Sequence, residues 1–248
     1  MKTLFKVLFL SALLLGLWQS AVSVFALPHF MLPAPMAVFG QFEHHSALLL
    51  SHALVTLSEM LLGLLLGFSL GLISALILAL SPRLSYFLLP VLVLSQAIPV
   101  FAIAPLLVMW FGFGMASKVV MTVLIIYFPV TASCYDGLRN TPRSWLDLAR
   151  TMELTPEREL LKVRLPAALP ALSSGLRIAV SVAPIGAIVG EWVGASAGLG
   201  YLMLHANARM QVDLMFAALF ILLVFAAAFY FVVDKLLRRA VPWASTLH

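Results

Sequence analysis

The fold class follows from one segment, Leu54–Leu80, which reads LVTLSEMLLGLLLGFSLGLISALILAL and contains a single charged side chain, Glu59. A helix that crosses the hydrocarbon core of a bilayer needs about 20 consecutive, mostly apolar residues. The segment meets that requirement and predicts a transmembrane helix. Gly63, Gly67 and Gly71 recur within it at every fourth position. They therefore share one helix face and predict close packing against another helix.

The rest of the 248-residue chain has the same apolar character. Hydrophobic residues make up 63% of the chain and charged residues 10%, whereas soluble domains have about 45–50% and about 25%. A soluble protein of this size cannot cover so much apolar surface, so the composition excludes a soluble enzyme, a disordered chain and a disulfide scaffold. The net charge of +5 comes from basic residues that lie beside apolar spans. The sequence shows no nucleic-acid-binding motif, no metal-ligand pattern and no nucleophile–base pair.

Outward from the first segment, the hydropathy pattern predicts six membrane spans. A segment in lipid must satisfy its own backbone hydrogen bonds, so all six are predicted to be helices of an all-α polytopic fold. The spans are about Leu4–Leu27, Leu54–Leu80, Leu84–Trp110, Val119–Tyr135, Leu176–Val193 and Leu214–Leu237. We divide the chain into an N-terminal transmembrane helix with a periplasmic segment, residues 1–53, and a core of five spans, residues 54–240. The N-terminus would also suit a signal peptide, but its apolar run is long for one, which favours an uncleaved span.

The basic residues are distributed unequally between the loops. Of the 15 lysines and arginines, all but Lys118 and Arg209 fall on one predicted side of the membrane. Cytoplasmic loops carry an excess of Lys and Arg, so both termini are predicted to be cytoplasmic. The same rule makes residues 137–174 the one sizeable cytoplasmic loop, where a soluble partner could bind.

Polar and proline residues within or near the spans are candidates for lining a transport pathway. Pro99 interrupts the predicted third span beside Gln96, and such breaks occur where they are buried or line a cavity. A charge in mid-bilayer costs about 2.5–3.5 kcal/mol, so Glu59 and Glu191 are further candidates. The alternatives are that Gln96 bonds the freed carbonyls and that both acids reach headgroups or water.

The cytoplasmic loop is predicted to contain two short helices. Ser144 and Asp147 have the spacing of a capping box. Thr155 before Pro156 is typical of a helix N-terminus. Pro166 is expected to end the second helix, together with Pro170.

The same loop resembles the cytoplasmic loop of ABC importer permeases, which reads Glu-Ala-Ala, three residues, Gly, nine residues, Ile, one residue, Leu-Pro. The spacing fits throughout, and the residues fit in part. Glu153 replaces the glycine, and a positive φ there would cost about 1–2 kcal/mol, so either the turn or the coupling geometry is expected to differ. The residues that match or adjoin this pattern are Asp147, Leu148, Ala149, Arg150, Glu153, Val163, Leu165 and Pro166.

The resemblance extends over most of the chain. Leu32-Pro33-Ala34-Pro35, Ala97-Ile98-Pro99 and the segment Gly190–Gly200 are similar to permeases of the nitrate, sulfonate and taurine importers. Within that group, residues 136–139, 147–152 and 205–211 most resemble permeases for hydroxymethylpyrimidine, a thiamine precursor.

This resemblance implies a type I importer permease in the bacterial inner membrane. It implies a homodimer, two ATPase subunits in the cytoplasm and a periplasmic substrate-binding protein. The first loop helix would be the coupling helix, and an acidic substitution of Ala149 is expected to prevent ATPase binding. The chain has no P-loop motif, so ATP and Mg²⁺ are expected on the ATPase and not here. His205, Asn207 and Arg209 are candidates for docking the binding protein.

Two alternatives remain open from the sequence. The substrate could be an aliphatic sulfonate, taurine or nitrate instead of a pyrimidine. The chain could also be a proton-coupled secondary transporter that uses Glu59 and Glu191 as proton sites and needs no ATPase.

Overall fold

The computed structural model describes residues 2–244, which form helices joined by short turns, with no β-strand in that range. The predicted all-α fold class is confirmed. The helices are α1 (Lys2–Val24), α2 (Pro35–His44), α3 (Ser46–Leu80), α4 (Pro82–Ser95), α5 (Val100–Phe111), α6 (Met115–Arg139), α7 (Arg143–Thr151), α8 (Pro156–Glu159), a π-helical segment (Leu160–Arg164), α9 (Leu165–Gly194), α10 (Leu199–Ala208), α11 (Val212–Ala240) and a 3₁₀ turn (Pro242–Ala244).

Helices α3, α6 and α9 form the centre of the bundle. The glycines of α3 face α6, as their spacing predicted, and all three are buried. A Cβ atom added to Gly67 would lie 2.8 Å from Ile126 Cγ2, and one added to Gly71 would lie 2.8 Å from Val130 Cγ1. Glycine therefore lets the two helix backbones approach more closely than any larger residue would.

One continuous helix runs from Pro156 to Gly194 and is long and apolar enough to cross a membrane. The expectation that Pro166 and Pro170 end a short helix was therefore wrong. Leu165 N–H bonds to Leu160 O in a π turn immediately before Pro166. This wider turn accommodates a proline that has no N–H to donate and whose ring crowds the preceding turn.

The predicted third span is not a single straight helix. It consists of α4 and α5, which meet at an angle of 98° across residues 96–99. Pro99 has ψ of 120° and precedes the first residue of α5. Proline also restricts the residue before it, Ile98, to extended conformations. The two helices therefore cannot continue into each other.

Within the described residues, four helices can cross a membrane by length and composition, and the bent pair makes a fifth candidate. The four are α3, α6, α11 and the helix from Pro156 to Gly194. The predicted first span corresponds to α1, whose Ala12–Val24 portion is a shorter apolar helix. We call the two ends of the bundle the α7 end, where α7 lies, and the α10 end, where α10 lies.

Candidate functional site

The turn after α7 has a defined geometry. Leu154 N–H bonds to Ala149 O at 3.1 Å, and Glu153 N–H bonds to Arg150 O at 2.9 Å. This pair of bonds is the Schellman arrangement that ends many helices, usually with glycine in the left-handed conformation. Here Glu153 adopts it, with φ of +55°. Of the two alternatives expected without glycine, a different turn is therefore wrong, because the glutamate accepts the strained conformation, and a different coupling geometry stays a prediction.

Helix α7 has a buried side and an exposed apolar side. Ala149 is 2% exposed, whereas Trp145, Leu148 and Met152 are all more than half exposed. Their spacing of three and four residues places these three on one helix face. Ser144 lies inside the helix and Pro142 precedes it without a side-chain cap, so the predicted capping box is absent.

The remaining loop residues tie α7 and the π-helical segment to the bundle. Arg164 Nε donates to Leu138 O at the end of α6, at 3.2 Å. Val163 and Leu165 are half-buried, whereas Pro166 is exposed. Asp147 and Arg150 form an exposed ion pair at 3.3 Å. The matched loop residues therefore belong to one surface at the α7 end.

Gln96 and Pro99 lie at the break between α4 and α5, and both are exposed. Among the described residues, Gln96 Nε2 contacts only Ser95 Oγ within hydrogen-bond range, at 3.5 Å. The apolar neighbours Leu94, Ile98 and Phe101 are exposed as well. The break thus faces outward from this chain.

Glu191 lies in a buried polar cluster at the α10 end. Its side chain is 1% exposed, and Thr56 Oγ1 on α3 donates to its Oε1 at 2.6 Å. Its Oε2 accepts hydrogen bonds from Gly200 N and, at 3.3 Å, from Tyr201 N, at the start of α10. Thr56 Oγ1 in turn accepts a bond from Leu199 N at 2.8 Å.

Glu59 is completely buried on the same face of α3, one turn after Thr56. It neighbours Glu191 and Lys118, and neither of its carboxyl oxygens has a hydrogen-bond partner within residues 2–244. Lys118 is also buried, and its Nζ donates to Phe113 O at 2.8 Å. The structure therefore brings Glu59 and Glu191 together inside one chain, whereas Gln96 and Pro99 are exposed at the break between α4 and α5.

The predicted docking residues lie on or just after α10. His205 Nδ1 contacts Tyr201 O at 3.0 Å, and the two rings are 3.9 Å apart between centroids. Asn207 and Arg209 are exposed. Arg209 and His205 line a cavity of about 400 Å³, together with His45, His52, Ser196 and Gln211.

Two sets of polar contacts between helices were not predicted from the sequence. Thr56 and His52 contact α10 through Leu199 N and Gly198 N, and their spacing of four residues on α3 was the available signal. Arg177 pairs with Asp234 on α11 at 2.7 Å. The two residues are 57 positions apart, so no local pattern predicts this pair.

Comparisons with known proteins agree over most of the chain. Residues 67–243 match the family described as binding-protein-dependent transport system inner membrane component. A probable ABC transporter permease protein of Haemophilus influenzae is 66% identical over 95% of this chain and 96% of its own length. The formylaminopyrimidine transport permease protein ThiX of Halalkalibacterium halodurans is 36% identical over 93% of this chain and 92% of its own length. The riboflavin transport system permease protein RibX of Chloroflexus aurantiacus is 41% identical over 94% of this chain and 88% of its own length.

A solved structure shows the same fold. One chain of the MetNI methionine ABC transporter, in an inward-facing conformation, superposes with a TM-score of 0.71 over 80% of this chain and 98% of its own length, at 21% identity. The fold is thus that of a type I importer permease. Together with the family match over more than half of its residues, this shows that the chain belongs to the inner-membrane permeases of binding-protein-dependent ABC importers and is a transport subunit, not an enzyme.

Proposed function

We propose that this chain is the homodimeric permease of an importer for a nitrogen heteroaromatic compound, first of all a pyrimidine precursor of thiamine such as hydroxymethylpyrimidine. In this proposal two ATPase subunits bind at the α7 end and hydrolyse ATP, and a substrate-binding protein docks at the α10 end. Both chain termini are cytoplasmic. The observation that supports this substrate class is the similarity to a formylaminopyrimidine permease over more than nine-tenths of both chains.

The exposed face of α7 supports ATPase docking. Trp145 and Leu148 on α7 and Met152 at its C-cap present exposed apolar side chains. Contiguous exposed apolar side chains on such a surface mark interaction sites. Ala149 is buried, and α7 contacts the π-helical segment, so movement of the ATPase would displace the loop together with the helix that begins at Pro156.

The break between α4 and α5 supports a pathway formed between two copies of the chain. Irregular backbone at membrane depth is tolerated only where protein buries it or where it lines a water-filled cavity. Residues 96–99 are all exposed in the single chain. A second copy would cover part of this surface and leave Gln96 and Pro99 beside the substrate's path.

The positions of the basic residues support the orientation of the complex. Arg143, Arg150, Arg158 and Lys162 lie at the α7 end, which the positive-inside rule assigns to the cytoplasm. The exposed Asn207 and Arg209 then face the periplasm, where a binding protein delivers its substrate. A riboflavin permease is also similar, so riboflavin is the second candidate substrate, and sulfonates remain the alternative of another chemical class.

Affinity purification followed by reconstitution tests the proposal. The tagged chain is purified from its own cells after gentle crosslinking, and the partners are identified by mass spectrometry. The co-purified binding protein is titrated with hydroxymethylpyrimidine, formylaminopyrimidine, riboflavin, taurine and an alkanesulfonate. We expect a P-loop ATPase, a binding protein and tightest binding of a pyrimidine.

Uptake into proteoliposomes separates the two transport mechanisms. Pyrimidine uptake should require ATP on the ATPase side and should persist with a protonophore. Tightest binding of taurine or a sulfonate would overturn the substrate class. Uptake by the chain alone that a protonophore abolishes would overturn the ATP-driven mechanism and favour the secondary transporter.

A further inference from the structure

The N-terminus of α10 is held entirely by side chains of other helices. The first four N–H groups of an α-helix have no partner within the helix. In α10 these belong to residues 198–201, and every one bonds to a side chain of α3 or α9. Gly198 N donates to His52 Nδ1 at 2.9 Å, Leu199 N to Thr56 Oγ1, and both Gly200 N and Tyr201 N to Glu191 Oε2.

The backbone around Gly198 is shaped to admit the Glu191 carboxyl group. Gly198 has φ of +115°, which side-chain-bearing residues rarely adopt. A Cβ atom added to Gly198 would overlap the carboxyl group of Glu191, and one added to Gly200 would lie 2.8 Å from Glu191 Oε2. The carboxylate also faces the positive end of the helix dipole, which stabilises a negative charge there.

Glu191 is three residues from the end of the helix that begins at Pro156. At a rise of about 1.5 Å per residue, that helix is about 58 Å long, enough to cross a whole bilayer of about 40–45 Å. Its first residues adjoin α7, and Arg164 bonds to the end of α6. A single helix thus connects the α7 surface with the start of α10.

We propose that Glu191 is a positioning residue: its carboxylate, with Thr56, fixes α10 to the end of the α9 helix and so sets the position of the surface that docks the binding protein. This inference rests on the proposed docking of the binding protein at α10. Movement of the α7 end is then transmitted by the α9 helix to the docking surface through these few hydrogen bonds. Both Glu191 oxygens accept hydrogen bonds inside one chain, from Thr56 and from the start of α10.

Hydrogen exchange of the purified permease–ATPase complex in nanodiscs tests the positioning step. The variants are Glu191→Gln, which leaves one acceptor oxygen, and Thr56→Val, which keeps the side-chain shape but removes the hydroxyl. Thr131→Val is the matched control, because Thr131 is equally buried and bonds only to Tyr127 O of its own helix. We expect amide exchange at residues 198–201 to accelerate about tenfold or more in the first two variants and to stay unchanged in the control.

The functional readout is the affinity of the complex for its binding protein, with ATP hydrolysis in the presence and absence of that protein. We expect Glu191→Gln and Thr56→Val to weaken binding and to reduce stimulated hydrolysis several-fold, with basal hydrolysis unchanged. Unchanged exchange at residues 198–201 in both variants would overturn the positioning role. If amide exchange at residues 198–201 accelerates while the affinity for the binding protein and the stimulated ATP hydrolysis stay unaltered, the link between Glu191 and docking is overturned.

A separate variant distinguishes failure of this inference from failure of the proposed function. Arg209→Glu alters the exposed surface at the end of α10 without touching the bonds at its start. If Arg209→Glu leaves binding-protein affinity unchanged while the Glu191 variant shows faster exchange, the docking assignment fails and the positioning of α10 stands. If Arg209→Glu weakens binding and the Glu191 and Thr56 variants do not, docking stands and the inference fails.

Discussion

Arg177 on α9 and Asp234 on α11 form an ion pair in which Arg177 Nε donates to Asp234 Oδ1 at 2.7 Å, with the two side chains 26% and 15% exposed. Arg238 donates to the other oxygen of the same carboxylate at 2.8 Å, but it lies on α11 itself and is 59% exposed. Asp234 therefore pairs with Arg177 on another helix and with Arg238 on its own helix. Only the first of these pairs attaches α11 to the centre of the bundle.

The interhelical pair is expected to contribute more stability than the pair within α11. Arg177→Met should lower the free energy of unfolding by about 1 kcal/mol, because it removes a charge-assisted hydrogen bond between two helices from a partly exposed carboxylate. Arg238→Met should cost no more than about 0.5 kcal/mol, as exposed i,i+4 pairs do. Denaturant unfolding in detergent micelles measures both. Equal losses in the two variants would contradict the greater contribution of the interhelical pair. A double-mutant cycle with Asp234→Asn should show stronger coupling for Arg177 than for Arg238.

Replacing Glu153 with glycine should stabilise the protein. The left-handed conformation costs a non-glycine residue about 1–2 kcal/mol, and glycine loses part of this gain through the greater entropy of the unfolded chain. We expect a net gain of up to about 1 kcal/mol, or a rise of about 2–4 °C in the thermal midpoint. A fall in the midpoint of Glu153→Gly would show that the glutamate side chain makes a stabilising contribution of its own.

Met210 provides the matched control for this substitution at the opposite end. It has φ of +59°, and the turn after α10 has the same pair of bonds, Met210 N to Asn207 O and Gln211 N to Ala206 O. Met210→Gly should raise the thermal midpoint by a similar amount. If Glu153 also contributes to ATPase coupling, only Glu153→Gly should change the rate of ATP hydrolysis in the complex.

The packing of α3 on α6 should not tolerate a methyl group at Gly63. A Cβ atom there would overlap Thr122 Cγ2, and such overpacking costs about 1–3 kcal/mol. Gly40→Ala is the control, because a Cβ atom at Gly40 meets no atom within 4 Å. Thr122→Ser removes the overlapping methyl group but leaves Thr122 Cβ 2.6 Å from the added Cβ atom, so it should restore only part of the stability lost in Gly63→Ala, as measured by thermal unfolding in detergent. Failure of this rescue would place the clash elsewhere.

Neighbouring residues of α7 should respond differently to an acidic substitution. Leu148 is 61% exposed, so Leu148→Asp should leave the purified chain folded and weaken ATPase binding by at least about tenfold, in the range of an interface hot spot. Ala149 is 2% exposed, so Ala149→Asp buries an unpaired charge and should destabilise the chain itself. Co-purification with the ATPase and the thermal midpoint of the free chain separate the two effects. Normal ATPase binding by Leu148→Asp would exclude this face as the docking surface.

Of the six spans predicted from the sequence, four correspond to helices long and apolar enough to cross a membrane and one to the bent pair, whereas the described part of the first is a shorter apolar helix. The agreement arises because hydropathy and helix length respond to the same bilayer thickness. The sequence also predicted the glycine face of α3, because residues spaced by four lie on the same face of a helix. The loop pattern around Ala149 and Glu153 located α7 and its turn. Each of these features depends on residues close together in the chain, where periodicity is informative.

The errors concern proline and long-range contacts. Pro99 and Pro166 carry the same local signal, yet one separates two helices at 98° and the other lies inside a continuous helix. A π turn relieves the strain at Pro166, and no residue type predicts such a turn. The bonds of Glu191 to α10 and of Arg177 to Asp234 join distant parts of the chain, so neither could be deduced without the fold.

The Schellman turn at Glu153 has a consequence for how relatives of this chain are detected. The turn is defined by two backbone hydrogen bonds, from residue 154 to residue 149 and from residue 153 to residue 150, and both persist without glycine. A search pattern that requires glycine at this position would discard permeases whose loop has the same shape. In this chain a glutamate follows the same backbone path, at the modest energetic penalty of a positive φ.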